Sequence, residues 1–197
     1  DIVRGMKSDP RIGQKAYLSP GIGFSGGTLG RDLKVLDGVN AKSSGYAKLF
    51  GLVHNLNNER KFAILERIAR ILGGIAGKSI GVFGLTYKPE TSTLRRSLPL
   101  EIVELLVERG ADVKVYDPKA DYSELDREMA FVVSKTVEEV AHQVEMLVLL
   151  TEWKDFREYN WGEILQIMKR PIFFDTKNFL DEKMMKRQGF SYFSIGR

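Results

Sequence analysis

Short apolar runs alternate with helical patterns over residues 78–197, and this alternation restricts the fold more than any other feature of the chain. Six runs have the length of buried strands and are bounded by turn residues; they are Ser79–Phe83, Asp112–Tyr116, Phe131–Val133, Met146–Leu150, Ile172–Phe174 and Ser191–Ile195. Helical patterns lie between them, at Pro99–Arg109, Val137–Val144 and Trp161–Met168. Strands that alternate with helices form a parallel sheet with both faces covered. We therefore predict an α/β fold with a Rossmann-like, doubly wound parallel sheet over residues 77–197.

The first 76 residues have a different pattern and form a second predicted domain. Gly and Pro punctuate residues 1–32, which favours loops, and the pattern turns helical from Asp32 to about Gly74. Apolar residues then recur at three- and four-residue steps, at Phe50, Val53, Leu56, Phe62, Leu65, Ile68, Ala69 and Leu72. This spacing predicts one long amphipathic helix leading into the sheet. Its apolar stripe is expected to pair with a second copy in a homodimer, or alternatively to pack on the chain's own C-terminal domain.

The composition excludes several classes of function. The chain has 197 residues, a formal net charge of +4 and no cysteine, so disulfides, thiolate metal sites and a Cys nucleophile are excluded. Its basic residues are interleaved with acidic ones, which argues against nucleic-acid binding and suits a small anionic ligand. His54 and His142 lie far apart and predict no metal site. No apolar run approaches the ~20 residues of a membrane span, and no signal peptide is recognisable, so we expect a cytoplasmic protein without membrane contact.

The segment 20–32, Pro-Gly-Ile-Gly-Phe-Ser-Gly-Gly-Thr-Leu-Gly-Arg-Asp, is the strongest candidate for a ligand site. Glycines permit a positive φ and let a ligand approach the backbone amides closely. Thr28 and Asp32 would then be placed to act on a bound anion or sugar. The alternative is a glycine-rich surface turn before a helix.

The turn after the first predicted strand carries charge in place of a dinucleotide fingerprint. Gly81 and Gly84 are present without the G-x-G-x-x-G spacing, so the turn is not expected to hold a pyrophosphate. Asp117 is accordingly assigned to a turn with the following proline and not to a ribose. Lys88 and Arg95 suit a phosphate or carboxylate, whereas Arg96 is interpreted as a solvated loop charge.

These segments together resemble the UDP-glucose/GDP-mannose dehydrogenase family. The loop Gly21–Asp32 is similar to that family's catalytic loop, G-x-G-[FY]-G-G-S-C-[FL]-x-K-D, with Thr28 at the position of the nucleophilic Cys and Arg31 at that of the Lys. The run Gly84–Ser97 is similar to its G-[LF]-x-[FY]-K-x-x-T-x-D-x-R-x-S. Further matches follow in order at Val115–Pro118, Leu150–Phe156 and Phe174–Asp181, where Lys177 replaces an Arg, and upstream at Asp9–Gly13 and Tyr17–Leu18.

The resemblance implies part of an enzyme that oxidises the C6 alcohol of a UDP-hexose to an acid with NAD as cofactor. Family members have an N-terminal NAD domain, a central helical dimerisation domain and a C-terminal Rossmann-like domain that binds the UDP end. This chain corresponds to the end of the central domain and to the C-terminal domain, without the NAD domain. The implied catalytic residues are Thr28 and Asp32. The implied ligand-binding residues are Arg11 (acting across the dimer), Tyr17, Leu18, Gly23, Phe24, Gly26, Gly27, Tyr87, Lys88 and Lys177 for the UDP-sugar, and Arg95 for the cofactor.

Thr28 leaves the activity open. A family Cys captures the aldehyde because a thiol with a pKa of about 8.5 forms a nucleophilic thiolate, whereas a Thr hydroxyl forms no comparable anion. Asp32, with an ordinary pKa of about 3.9, is a poor base for an alcohol. As a part of such an enzyme without the NAD domain, the chain is expected to bind a UDP-sugar but not to turn it over alone. The alternatives are a divergent or inactive homologue and a dimerising module without a ligand.

Overall fold

The computed structural model describes residues 2–19, 21–40, 48–125 and 128–196. The helices are α1 (Ile2–Ser8), α2 (Leu29–Asn40), α3 (Lys48–Leu72), α4 (Leu98–Glu108), α5 (Val137–Ala141), α6 (Trp161–Gln166) and α7 (Glu182–Gln188). The strands are β1 (Ser79–Phe83), β2 (Asp112–Tyr116), β3 (Val132–Val133), β4 (Met146–Leu149), β5 (Ile172–Asp175) and β6 (Ser191–Ser194). Single turns of 3-10 helix lie at Tyr122–Glu124 and Lys154–Arg157.

The six strands form one parallel sheet in the order β3-β2-β1-β4-β5-β6. This arrangement confirms the predicted Rossmann-like, doubly wound sheet. The first strand, β1, lies in the middle of the sheet. The strands β2 and β3 follow on one side of it, and β4, β5 and β6 follow on the other side. The strand order therefore reverses between β1 and β4, and a crevice opens beyond the carboxyl ends of these two strands.

Each face of the sheet is covered by its own hydrophobic core. On one face α3 and α4 bury Leu65, Ile68 and Ile102 against β1 and its neighbours. On the other face the helices that follow β3 close over an aromatic cluster that includes Phe83 and Trp161, whose ring centroids lie 5.4 Å apart in an edge-to-face arrangement. The central strands β1, β4 and β5 are buried on both faces and appear in the sequence as nearly continuous apolar runs, whereas β2 and β6 alternate buried residues with more exposed ones.

Helix α3 confirms the long amphipathic helix, but its two halves have different surroundings. The C-terminal half, with Ile64, Leu65 and Ile68, is buried on the chain's own sheet domain. The N-terminal half exposes Leu49 and Leu52, by 61% and 54%. The stripe therefore packs on its own domain over half of its length, as the second alternative predicts, and leaves an apolar surface over the other half.

The prediction of helix from Asp32 to Gly74 as a single run is wrong in one respect. The structure has α2 and α3 as two helices that lie against each other, and the Asp37 carboxylate accepts a hydrogen bond from the Gly51 amide at 3.1 Å. The residues between them, 41–47, lie outside the described part of the chain. None of the helices in the described ranges is both long and apolar enough to cross a bilayer.

Other differences concern short elements. Residues 2–8 and 29–31, predicted as loop, belong to α1 and α2, and α7 was not predicted although Asp181 caps its start and Gly189 ends it with a φ of 109°. The helix predicted over Val137–Val144 is shorter in the structure, where α5 ends at Ala141. The reason is that Gln143 adopts a left-handed φ of 59°, which turns the chain toward β4.

Candidate functional site

The loops that follow β1 and β4 meet at the crevice and are tied together there. The Thr151 hydroxyl donates to the carbonyl of Thr86 at 2.6 Å. Gly84 lies so close that a Cβ at this position would come within 2.4 Å of the Thr151 Cβ, and its φ is +85°. Gly84 is therefore required by a close approach of two backbones and not by a ligand.

Asp117, at the end of β2, holds the turn after β1 from inside the protein. One carboxylate oxygen accepts from the amides of Leu85 and Thr86, at 2.7 and 3.0 Å, and from the indole nitrogen of Trp153 at 3.1 Å. The other accepts from the amides two and three residues further along the chain, which confirms the predicted turn. The amides of the β1 turn, which a dinucleotide-binding loop offers to pyrophosphate, are thus occupied by a carboxylate of the protein.

The glycine loop, residues 21–28, is fixed to the long helix. Asn57 exchanges two hydrogen bonds with Phe24, one from the Phe24 amide and one to its carbonyl, both at 2.8 Å. The Arg60 guanidinium donates to the carbonyl of Gly21 at 2.8 Å. Sequence reasoning missed both anchors. For Asn57, the signal it could have used is the group of three asparagines, at 55, 57 and 58, in the middle of a helix, where this residue type is disfavoured unless its amide has a partner.

The same loop is also fixed to the segment before α4. The Gly26 amide donates to the carbonyl of Arg96 at 2.9 Å, and the Arg96 guanidinium donates to the carbonyl of Gly27 at 3.0 Å. Arg96 is exposed in a loop, as its interpretation as a solvated charge implies, but its guanidinium also has a specific partner in the candidate site, which that interpretation did not include.

Two glycines of the loop allow close contact with side chains of other elements. Gly26 has a φ of 90°, and a Cβ there would lie 2.9 Å from the Tyr87 ring. Gly23 has a φ of 125°, and a Cβ there would lie 2.5 Å from the Asn57 carboxamide oxygen. A side chain at either position would collide with its neighbour. The structure thereby brings Gly23, Gly26 and Tyr87, all predicted as site residues, into one place.

Thr28 and Asp32 lie at the start of α2, one helical turn apart. The Thr28 carbonyl accepts from the Asp32 amide at 2.9 Å, and the Thr28 side chain is exposed. The Asp32 carboxylate, 49% exposed, is paired with the Arg31 guanidinium at 3.1 Å. The Asp32 carboxylate thus has a cationic partner in the adjacent residue, at the point where α2 begins.

Lys177 extends from the end of β5 toward the glycine loop. Its backbone amide is held by the Asp175 carboxylate at 2.8 Å, and its ammonium lies 3.1 Å from the Glu152 carboxylate. Both side chains of this ion pair are largely buried, with 14% and 22% exposed. A Cβ on Gly21 would lie 3.9 Å from the Lys177 ammonium, so the ion pair adjoins the loop. Glu152 was not predicted as a site residue, although it belongs to the Thr-Glu-Trp motif singled out in the sequence.

The two cationic residues after β1 are more open. Lys88 is exposed, with its ammonium 5.5 Å from the centroid of the Tyr87 ring. Arg95 is also exposed, and its backbone amide donates to the Glu124 carboxylate at 3.1 Å. Glu124 also accepts from the Thr93 hydroxyl and the Leu94 amide, and these hydrogen bonds hold the pKa of its carboxyl below the ordinary value.

The predicted residues before the loop do not join this cluster. Arg11 pairs with Asp9 at 2.6 Å and is 88% exposed, and this contact lowers the pKa of Asp9. Tyr17 is 84% exposed, and Leu18 is partly buried. Among the described residues, no hydrogen bond links Arg11, Tyr17 or Leu18 to the glycine loop.

A cleft of about 740 Å³ lies on the loop between α2, α3 and the start of α4. Phe24 and Gly26 border it, together with the basic side chains of Lys34 and Lys61, and the Lys61 ammonium is paired with Glu101 at 2.7 Å. Within the described ranges, no group of three or more His, Cys, Asp or Glu side chains is placed to hold a metal ion.

Comparisons with known proteins bear on the family and the fold of this chain. Residues 81–182 match the family model described as "UDP-glucose/GDP-mannose dehydrogenase family, UDP binding domain". The UDP-glucose 6-dehydrogenase of Rickettsia felis is 34% identical over all of this chain and 44% of its own length. The UDP-glucose 6-dehydrogenase TuaD of Bacillus subtilis is 31% identical over all of this chain and 42% of its own length. The chain thus spans less than half the length of these relatives.

A solved structure shares the fold. The UDP-glucose dehydrogenase from the archaeon Pyrobaculum islandicum matches with a TM-score of 0.81 over 98% of this chain and 42% of its own, at 23% sequence identity. At this identity the likeness establishes the fold alone.

Asp117→Asn is expected to lower the free energy of unfolding by about 2–3 kcal/mol, because the new amide group places a donor against backbone donors in a buried site. Chemical denaturation measures the change. Asp121→Asn is the control: Asp121 is exposed and accepts from the Ser123 amide at 3.0 Å, and Asn caps such turns as well as Asp does. Equal stability of the two variants would contradict the role given to Asp117.

Proposed function

Because this chain belongs to the UDP-glucose/GDP-mannose dehydrogenase family, we propose that it is the substrate-binding part of a nucleotide-sugar dehydrogenase. It binds a UDP-sugar whose C6 alcohol is oxidised to an acid with NAD. The observation that carries this proposal is the convergence of the glycine loop, Tyr87 and Lys177 at the carboxyl ends of the strands. Residues 1–76 serve as the end of a helical dimerisation domain, and residues 77–197 serve as the domain that binds the UDP end.

In this proposal the cations bind phosphate and the loop surrounds the sugar. Lys177 offers a buried ammonium to the nucleotide, and Lys88 adds an exposed charge beside Tyr87, which packs on the ligand. The backbones of Gly23, Phe24, Gly26 and Gly27 border the sugar. Asp32, which pairs with Arg31, orients the substrate or water next to Thr28.

The remaining predicted residues act at the edges of this site. Tyr17 and Leu18 contribute to the sugar-nucleotide loop. Arg11, which lies apart from the loop of its own chain, acts on the ligand of the second protomer in a dimer. This assignment fits its exposure of 88%.

The sheet of this chain does not fit the pyrophosphate of NAD. The amides of the β1 turn are taken by Asp117, and the glycine fingerprint is absent. NAD, when bound, accepts the hydride. Its main site is assigned to a part of the longer family members that this chain does not cover. From this chain, the exposed guanidinium of Arg95 is the group that reaches toward it.

Calorimetric titration of the chain with UDP-glucose, UDP-N-acetylmannosamine, GDP-mannose and NAD, each separately, tests the binding role. We expect saturable binding of one sugar nucleotide and none of NAD. Lys177→Met should weaken that binding about tenfold or more, because a charge-assisted contact to phosphate is lost. Lys183→Met, at an exposed lysine on α7, is the control. Saturable NAD binding, or equal affinity of the two variants, would refute the assignment.

Self-association is proposed to use the apolar surface of α2 and α3. Leu49 and Leu52 on α3, with Val35 and Val39 on α2, are all more than half exposed. Sedimentation equilibrium should therefore detect a dimer that Leu52→Asp weakens. Val132→Asp changes an equally exposed residue, also 54%, on the edge strand β3 and should leave the dimer intact. A monomer at all concentrations would exclude this surface as an interface; a dimer that binds no nucleotide sugar would favour the module without a ligand.

A divergent or inactive homologue is the second candidate, and Thr28 is the observation that favours it. Thr28 is exposed at the helix start, and Asp32, four residues further along, is engaged with Arg31. Thr28→Cys, in a protein that includes the NAD domain, should then create or restore release of the sugar acid, measured by chromatography. Thr28→Ser is the control, since it retains a hydroxyl. Robust acid formation with Thr28 in place would rule out the inactive homologue.

A further inference from the structure

Arg96 has a backbone conformation that an arginine rarely adopts. Its φ is 55°, in the left-handed region, where the Cβ of an L-residue approaches its own carbonyl and glycine is the favoured residue. Strained residues of this kind persist where the surrounding structure determines them, and they cluster at functional sites. An arginine at a position that favours glycine therefore indicates a role for its side chain.

The side chain of Arg96 supplies that reason. Its carbonyl accepts from the Gly26 amide at 2.9 Å, which any residue in this conformation could do. Its guanidinium also reaches the carbonyl of Gly27 at 3.0 Å, which requires a long side chain with a donor. One residue thus holds the loop on both sides of the peptide that joins Gly26 to Gly27.

Both neighbours of Arg96 are themselves anchored. Before it, the Leu94 and Arg95 amides donate to the Glu124 carboxylate at 2.8 and 3.1 Å. After it, the Ser97 hydroxyl caps α4 and donates to the carbonyl of Leu85 at 2.5 Å. The backbone on both sides of Arg96 is therefore fixed to residues 77–197, and the glycine loop is attached to this backbone through Arg96.

We propose that Arg96 is a positioning residue that attaches the glycine loop to the sheet domain and so sets the place of Thr28 and Asp32 relative to Tyr87. The side chain holds Gly27, the residue before Thr28, while Gly26 lies on the Tyr87 ring. Displacement of the loop by the loss of this contact would move the candidate catalytic residues away from the sugar. The attachment is a property of the free chain; its consequence for ligand binding rests on the proposed function.

Arg96→Gly separates positioning from stability. Glycine adopts the left-handed conformation without strain, and this gain offsets the larger conformational entropy of the unfolded chain, so the unfolding midpoint is expected to stay about the same. The contact to Gly27 is lost, so the Gly26 amide should exchange with solvent at least about threefold faster relative to the Gly84 amide, which donates into β2 at 2.8 Å. UDP-glucose, if bound by the wild type, should bind at least about threefold more weakly.

Two further variants complete the test. Arg96→Lys retains a cationic donor and is expected to restore part of the Gly26 protection. Gln143→Gly relaxes another left-handed residue, with a φ of 59° at the connection of α5 to β4, and should change neither the exchange ratio nor the ligand affinity.

The exchange ratio decides the proposal. A Gly26-to-Gly84 ratio in Arg96→Gly equal to that of the wild type would overturn it, whatever the midpoint does. A raised ratio with partial recovery in Arg96→Lys would support it. A wild-type chain that binds no UDP-glucose would count against the proposed function alone, because exchange is measured without ligand.

Discussion

The Asp117 carboxylate is the contact on which the candidate site depends, because it joins the loops that follow three different strands. It lies at the end of β2, accepts from the amides of the β1 turn, and accepts from the indole of Trp153 beyond β4. A buried carboxylate is costly unless its oxygens are fully hydrogen-bonded, and here both oxygens have at least two donors. Because Asp117 occupies the amides of the β1 turn, this turn cannot bind a phosphate with them, and the turn is fixed at the base of the crevice.

A second carboxylate at a strand end repeats the arrangement on the other side of the crevice. Asp175, at the end of β5, is fully buried and accepts from the amides of Lys177 and Phe179, at 2.8 Å each, and from the Tyr192 hydroxyl at 2.6 Å. It thereby fixes the backbone from which the Lys177 side chain extends to Glu152. Both strand-end carboxylates are structural: Asp117 fixes the turn after β1, and Asp175 fixes the backbone that carries Lys177.

The glycine loop is held by two elements that follow it in the chain. Helix α3 holds it through Asn57 and Arg60, and the segment before α4 holds it through Arg96. Since the buried half of α3 packs on the sheet domain, the loop, the long helix and the sheet form one connected structure. The N-terminal half of α3 is exposed and remains available for a partner, as the proposed dimer requires.

The sequence by itself determined the sheet and the long helix, since buried parallel strands and an amphipathic helix leave apolar patterns of fixed length and period. It also determined the glycine loop, whose positive-φ positions at Gly23 and Gly26 only glycine satisfies without strain. The sequence did not reveal which polar side chains hold that loop. Asn57 and Arg96 lie 33 and 69 residues from their partners, and a hydrogen bond between distant residues leaves no local period. Only the tertiary structure decided that Arg96 is an anchor, that Lys177 pairs with Glu152, and that Asp117 occupies the turn where a dinucleotide would otherwise bind.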